Sequence, residues 1–270
     1  MNATWIITAF VVIDDLMTAL GHRTHPLAQA SDAEVLTVAI VAAKYFQNHH
    51  ERTLCVMQEC DYLSGSLSTS RFNRRLHALG DWLLLVAETL GELFTTGETY
   101  VIDSMPVPVC RRVRAWRCRK VRGRIYCGYC AAKAERFFGW RLHLVCTLAG
   151  EPVRFTLLPA SLHDLTPVHE LADALPTGAI LLGDKGYISA PDADAILTAS
   201  GVRLVAQVRA NMQPLEWWDD FDLRTHRHTI ETVNSQLEKM AVERLHARTN
   251  PGLFLKVHAS IVALALTNAH

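Results

Sequence analysis

Residues 99–104 read TYVIDS and residues 179–184 read AILLGD. Each is a short β-prone apolar run that closes on an aspartate, Asp103 in the first and Asp184 in the second. Pro106 and Pro108 lack the N–H that a sheet ladder uses, so the first strand is expected over 99–102, stopping before them. Working outward, residues 140–148 alternate as a strand does, Gly150-Glu151-Pro152 turns, and 153–158 form a second strand, together a hairpin. Helical spacing covers 162–175 and 191–199, residues 202–208 are another strand, and 227–240 form a helix with Ile230, Val233, Leu237 and Met240 on one face. Strand, hairpin, helix, strand, helix, strand, helix is the order of a mixed α/β layer. In an open α/β sheet the carboxyl ends of strands line the ligand crevice, so Asp103 and Asp184 can share a metal there. The plainer reading of each is a cap on a strand-terminal turn.

Upstream of residue 98 the period is helical. Ser31-Asp32-Ala33-Glu34 has capping-box spacing ahead of a helix that runs to about Phe46. A polar break at 47–52 leads into a short helix to about Cys60, residues 62–66 turn, and Ser68-Thr69-Ser70 caps a helix carrying Arg71, Arg74 and Arg75. Helix, turn and basic helix read either as a helix-turn-helix or as an ordinary helical bundle with a basic surface. A further helix covers 81–94, and Thr95-Thr96-Gly97 closes the segment. The expected division is a helical, DNA-binding domain over 1–97 and an α/β domain over 98–270.

The chain has 270 residues, half of them apolar, with 27 basic against 27 acidic side chains. Such a composition excludes a disordered chain. The zero balance is an average of unlike parts: minus four over 1–97, plus eight over 98–150 and minus four over 151–270. Most of the surplus is Arg111, Arg112, Arg114, Arg117, Arg119, Lys120, Arg122 and Arg124, set among Trp116 and Tyr126 with no acid from Ser104 through Ala134. Guanidinium groups match phosphate oxygens and aromatic rings offer faces to bases, so this run reads as a nucleic-acid contact. A solvated charged loop is the other reading. The apolar runs at 5–13 and 257–266 are too short to span a bilayer, and the first runs into Asp14 and Asp15, so a cytoplasmic location is expected.

Seven cysteines, an odd number, suggest reduced thiols or metal ligands. Cys118, Cys127 and Cys130 have the spacing of a possible zinc site inside the basic insertion at about 109–136, with Cys110 or His143 as a fourth ligand. Buried reduced cysteines are the favoured reading.

Glu231 lies beside the apolar stripe of the 227–240 helix, where it can supply a third oxygen ligand. Glu238 is a rival on a similar face, and Arg227, one turn before Glu231, offers it a simple ion pair. Hard oxygen ligands select Mg²⁺ or Mn²⁺, and three carboxylates can hold two such ions.

The segments TYVIDS, then Leu162-His163-Asp164, then Gly183-Asp184-Lys185-Gly186-Tyr187, then RHTIETVNSQL over 227–237 resemble the DDE transposases of bacterial insertion sequences. The resemblance covers 99 to about 250. It implies a ribonuclease-H-like mixed sheet with flanking helices after an all-helical N-terminal domain. It also implies Asp103, Asp184 and Glu231 as a catalytic, metal-binding triad, with Arg227 and Lys239 meeting DNA. Lys185 is placed to hold a phosphate near the second aspartate, and Trp217-Trp218 either stacks on a distorted base or is core. Many relatives carry Tyr three residues before the Arg and Lys seven after the Glu, where this chain has Arg224 and Glu238. The implied activity is cleavage at transposon ends and strand transfer into target DNA, with two Mg²⁺ or Mn²⁺ ions, double-stranded DNA as partner and a homodimer in the synaptic complex. A non-catalytic DNA-binding protein and a two-metal nuclease that cuts without joining are the alternatives.

Overall fold

The strand opened by TYVIDS does not stop at the prolines. In the computed structural model, which describes residues 1–209 and 211–269, β1 spans Thr99–Arg111. It pairs antiparallel with β3 (Glu135–Thr147) along its length and parallel with β5 (Ile180–Gly183) only from Thr99 to Ile102. Pro106 and Pro108 stand two apart, so both omit the N–H on the same edge. Past Ile102, β1 has a strand on the β3 side alone, and an edge is where missing donors are tolerated. The pairing slips by one residue between Pro108 and Cys110.

β4 (Pro152–Pro159) pairs with β3 as the expected hairpin, and β6 (Arg203–Ala206) runs parallel to β5. A short extra strand, β2 (Cys127–Cys130), joins the β3 end that lies within the basic insertion. The sheet order is β2-β3-β1-β5-β6, with β4 on β3 as well. It is a mixed, ribonuclease-H-like sheet, antiparallel on one side of β1 and parallel on the other.

The chain divides into two compact units, Gly91–Ser235 around this sheet, and Met1–Leu90 joined by the segment from Gln236. In the sheet unit, Tyr100, Ile102, Val145, Val153, Leu181, Tyr187 and Leu204 are buried with side chains of α6 (Val168–Asp173) and α7 (Ala190–Ser200). Helix α6 is shorter than the expected 162–175 because Pro167 disfavours helical geometry at the residue before it.

The other unit is helical, as expected for the first hundred residues. It holds α1 (Ala3–Ala19), α2 (Asp32–Phe46), α3 (His50–Glu59) and α4 (Thr69–Ala78). The capping box forms, with Ser31 and Glu34 exchanging hydrogen bonds at the start of α2. Residues 33–43 of α2 are buried on all sides, the pattern of a central helix. Asn48, also buried, donates to Met240 O at 2.9 Å and Ser260 Oγ at 3.1 Å, and its own carbonyl accepts from Lys256. Helices α5 (Gly80–Phe94) and α8 (Trp217–Lys239) carry the chain from one unit to the other.

Three expectations change here. The sequence reading ran the sheet domain to 270, whereas the contacts group the chain from Gln236 with the N-terminal helices. The reason is α9 (Asn250–Asn268), longer than the apolar run suggested and long and apolar enough to cross a membrane. Its residues from Leu253 to Leu266 are largely buried, and α2 is its main neighbour. Finally, α8 begins at Trp217 rather than 227. Asp219 in its first turn meets Arg203 of β6 with two bonds of 2.7 and 2.8 Å, and an acid there also suits the helix dipole. Trp217 and Trp218 therefore open the helix instead of preceding it, at 71% and 50% exposure, and are not core.

Gly91 of α5 packs directly on β4, and an added Cβ would meet Val153 O at 2.2 Å. Alanine gains about 1 kcal/mol of helix propensity, but forcing backbone apart costs about 1–3 kcal/mol. Gly91→Ala is expected to destabilise the protein and lower its urea midpoint. A midpoint at or above wild type would refute the contact.

Candidate active site at the strand ends

The register Ile102↔Gly183 between parallel β1 and β5 sets the next residues side by side, Asp184 just past the end of β5 and Asp103 still within β1 rather than at the strand end expected for it. The site therefore begins from two sequence-separated aspartates brought together by strand pairing. Asp103 Oδ1 accepts from the Ser104 N–H at 2.7 Å, and its Oδ2 accepts from Asn234 Nδ2 at 2.8 Å. Burial pushes the Asp103 carboxyl up to about 6, those two hydrogen bonds pull it down, and the Asp184 and Asp164 charges add to the rise. Asp184 caps the turn at Lys185–Tyr187 by accepting from Gly186 N at 2.7 Å, as the cap reading expects. Its carboxyl is also raised, first by burial and then by Asp164, while Arg141 and Arg227 oppose the rise.

Asp164 belongs to the same group. Its Oδ1 accepts from Ser104 Oγ at 2.9 Å and from Arg141 Nη1 at 3.1 Å. Arg141 also reaches Ser104 Oγ at 3.2 Å and the Tyr129 carbonyl at 3.0 Å, tying β3, the first hairpin strand, to the insertion. Gly186 keeps the space between the carboxylates open: an added Cβ would sit 2.9 Å from Asp184 Oδ1 and 3.0 Å from Asp164 Oδ2. His163 is exposed, its ring accepting from Leu165 N at 3.3 Å.

Glu231 is not drawn into this group. It is exposed and forms a 3.0 Å ion pair with Arg227, one turn away on α8, which is the simple pairing the sequence offered. Asn234, three residues on and so on the same helical face, is the α8 side chain that reaches Asp103. Glu238 lies beyond Ser235, in the helical unit. Lys185 and Lys239 are exposed. Among the described residues no three His, Cys, Asp or Glu side chains are close enough to hold one metal ion. The donor type fits a hard divalent cation, since carboxylate oxygens of Asp184 and Asp164 face the space that Gly186 leaves open and Asp103 stands beside Asp184 in the strand register.

In the insertion, Arg111, Arg112, Arg114, Arg117, Arg119, Arg122 and Arg124 are exposed, and none forms a salt bridge among the described residues. Lys120 differs: it is half-buried and donates to Val109 O at 3.0 Å, a structural bond. The Arg117 guanidinium lies 4.2 Å from the Trp116 ring centre, and an open recess of about 400 Å³ is lined by Trp116, Arg117, Arg119 and Arg122. All seven cysteines are free thiols. Cys118 adjoins Cys110, and Cys127 and Cys130 end β2, so the three proposed zinc ligands are not gathered at one point.

The residues that sequence reasoning missed are Ser104, Arg141, Asn234 and Gly186. Only Asn234 had a usable signal, its place one turn after Glu231. Replacing it by leucine removes a charge-stabilising donor from a buried carboxylate, so Asn234→Leu is expected to raise the Asp103 carboxyl further. NMR titration of the Asp103 side chain checks this, and an unchanged midpoint would contradict it.

A mixed sheet of this order, with one aspartate in β1 where its parallel pairing ends and another just past β5, defines a ribonuclease-H-like domain with an acidic site. The profile of the family described as transposase DDE domain matches residues 94–250, and the chain belongs to that family of DDE transposases. Comparison with curated proteins and with solved structures gives no significant match. Membership implies DNA as substrate and divalent-metal chemistry.

Proposed function

We propose that the protein cuts DNA at the ends of an insertion sequence and joins the freed 3′-hydroxyl to target DNA, with Asp103, Asp184 and Glu231 as the catalytic acids. The observation that carries this reading is the β1–β5 register, which sets Asp103 beside Asp184. Glu231 enters through the family resemblance and its position on the helical face that Asn234 turns toward Asp103. To join the pair it would exchange its exposed ion pair with Arg227 for the site, a rearrangement that costs little because exposed pairs contribute about 0–1 kcal/mol.

Mg²⁺ or Mn²⁺ held by these acids supplies Lewis acidity for phosphodiester displacement. Asn234 and the Ser104 N–H fix the two oxygens of Asp103, so the carboxylate is oriented before a cation arrives. Arg227, released from Glu231, and Lys185 stand ready to take phosphate oxygens beside the pair. The unpaired arginines of the insertion supply sequence-independent contact with the DNA backbone, and the exposed Trp217-Trp218 pair offers faces to a base unstacked at the cut end. Lys239 and the basic face of α4, with Arg71 and Arg74 exposed and Arg75 engaged by Asp32, extend the DNA contact. Synapsis of two ends calls for at least a dimer, and a DNA substrate of this kind places the protein at the bacterial nucleoid.

The test is end cleavage and joining by purified protein on DNA carrying the element's terminal repeats, with Mg²⁺. Asp103→Ala and Asp184→Ala should each abolish cleavage while binding persists. Unchanged Mg²⁺-dependent cleavage in both would sink the reading, and cleavage without any joined product would reassign the protein as a nuclease.

A further inference from the structure

The segment between β1 and β3 buries apolar side chains of its own and still turns two others outward. Val109, Val121, Phe137 and Phe138 are buried there, while Val113 is 77% exposed and Trp116 76%. Both stand on the 3₁₀ turn Arg112–Arg117, none of whose six residues is buried. A 3₁₀ helix turns once every three residues, so Val113 and Trp116 share one edge and Arg114 and Arg117 the next. The base of the turn is fixed by the sheet. Arg111 closes the β1–β3 ladder opposite Phe137, β2 pairs with β3 at Phe138, and Cys118 N donates to Ala115 O at 3.1 Å to close the turn.

Charge decides what covers this apolar edge. The arginines around it are exposed, and no acid stands from Ser104 through Ala134. The Arg117 guanidinium lies 4.2 Å from the Trp116 ring centre, and the recess of which that ring is one wall also presents Arg117, Arg119 and Arg122. The same edge of a second copy would bring like charges together. Duplex DNA instead offers phosphates to the arginines and a stacked base step to the apolar edge. A flipped base needs a wall on each of its faces, whereas a projecting turn with no buried residue fits a gap between base pairs. Apolar side chains inserted in this way unstack a step and kink the duplex.

We propose that Val113 and Trp116 form a wedge that enters duplex DNA between base pairs and kinks it, with the neighbouring arginines on the phosphates beside the kink. This rests on the DNA-substrate reading above and adds a deformation of the duplex to it. The arginines accept any sequence, while the wedge favours steps that open easily, such as TA.

The probe is a duplex of about 30 base pairs with a central TA step and a dye at each end. Energy transfer between the dyes reads the bend at saturating full-length protein, in EDTA so that no strand is cut. Wild type is expected to bend the duplex by roughly 20–90°. Trp116→Ser should lose most of the bend and bind about tenfold more weakly, with a salt slope changed by less than the ~0.9 of one phosphate contact. Trp116→Phe keeps a ring and should retain the bend, and Val113→Ser, the second wedge variant, should lose part of it. Near-UV circular dichroism checks that each variant is folded. A straight wild-type complex, an undiminished bend in Trp116→Ser, or a loss in Trp116→Phe as large as in Trp116→Ser would each overturn the proposal. A straight complex with Trp116-dependent self-association in sedimentation would give the edge to a second copy instead. End cleavage with Mg²⁺ separates this inference from the functional reading. A Trp116-dependent kink without cleavage leaves the wedge standing and sinks the transposase chemistry; cleavage and joining by a protein that leaves DNA straight does the reverse.

Discussion

Asp103→Asn is expected to abolish strand cleavage, by about 10³-fold or more, and at the same time to make the metal-free protein more stable at neutral pH. Burial raises the folded-state Asp103 carboxyl to about 6 from the usual 3.8, so between those values the folded protein holds a proton that the unfolded chain has lost. Stability contributed by this group is present below pH 4 and is lost as pH rises through 6. The two-unit difference sets an upper bound of about 3 kcal/mol on what asparagine restores at pH 7. Three histidines act in the opposite sense. Burial holds His50 at about 3 and His143 and His258 at about 4, so their contribution is lost as pH falls from 6.5. The wild-type pH profile therefore mixes both trends, and the informative quantity is the difference between variant and wild type in urea melts at pH 4, 5, 6 and 7. That difference should grow with pH and shrink again when Mg²⁺ is added. A flat difference would mean that Asp103 is not strained by burial. Together the two readouts separate a site residue from a structural one, since an ordinary core substitution loses activity by losing stability.

Replacing Arg114, Arg117, Arg119 and Arg122 together by alanine is expected to weaken DNA binding by about 10²-fold near 0.1 M salt. It should also make the dependence of log affinity on log salt shallower by about 3 to 4, close to one per lost phosphate contact. These four are exposed and make no salt bridge among the described residues, so little folding energy depends on them. Thermal stability should stay near wild type. Lys120→Ala is the contrasting variant: its bond to Val109 O holds the insertion to β1, so it should cost stability more than affinity. An unchanged salt slope in the quadruple variant would return the arginine run to its plainer reading, a solvated loop. The near-neutral sum of charges over the whole chain gave no hint of either outcome, because the acids that cancel these arginines lie in other segments.

Much of the site was legible because it rests on local chemistry. A β-prone run ending in an aspartate is visible in TYVIDS and in ILLGD, and the two strands pair so that the aspartates emerge side by side. The capping box at Ser31 and Glu34 is equally local, since it needs only residues three apart. The course of β1 past Pro106 and Pro108 was not legible. Whether a proline breaks a strand depends on which edge has a neighbour, and that is decided by β3, some thirty residues later. The start of α8 at Trp217 depends in the same way on Arg203 of β6 meeting Asp219.

By itself, then, the sequence determined the kind of protein: a helical segment, a mixed α/β layer, an aspartate after each of two β-prone runs and an arginine-rich insertion, with motifs in the order of a DDE transposase. Tertiary structure alone decided which side chains stand beside those aspartates. Asn234 reaches Asp103 from a helix 131 residues away, Asp164 is clamped by Ser104 and Arg141 from two different strands, and Glu231 is left with Arg227. Only the structure, too, assigned the segment from Gln236 to the helical unit. Hydrophobic period and capping depend on neighbours within a turn or a pleat, so a sequence displays them. The partners of a buried polar group are set by strand register and helix rotation, where a one-residue slip sends every side chain to the opposite face.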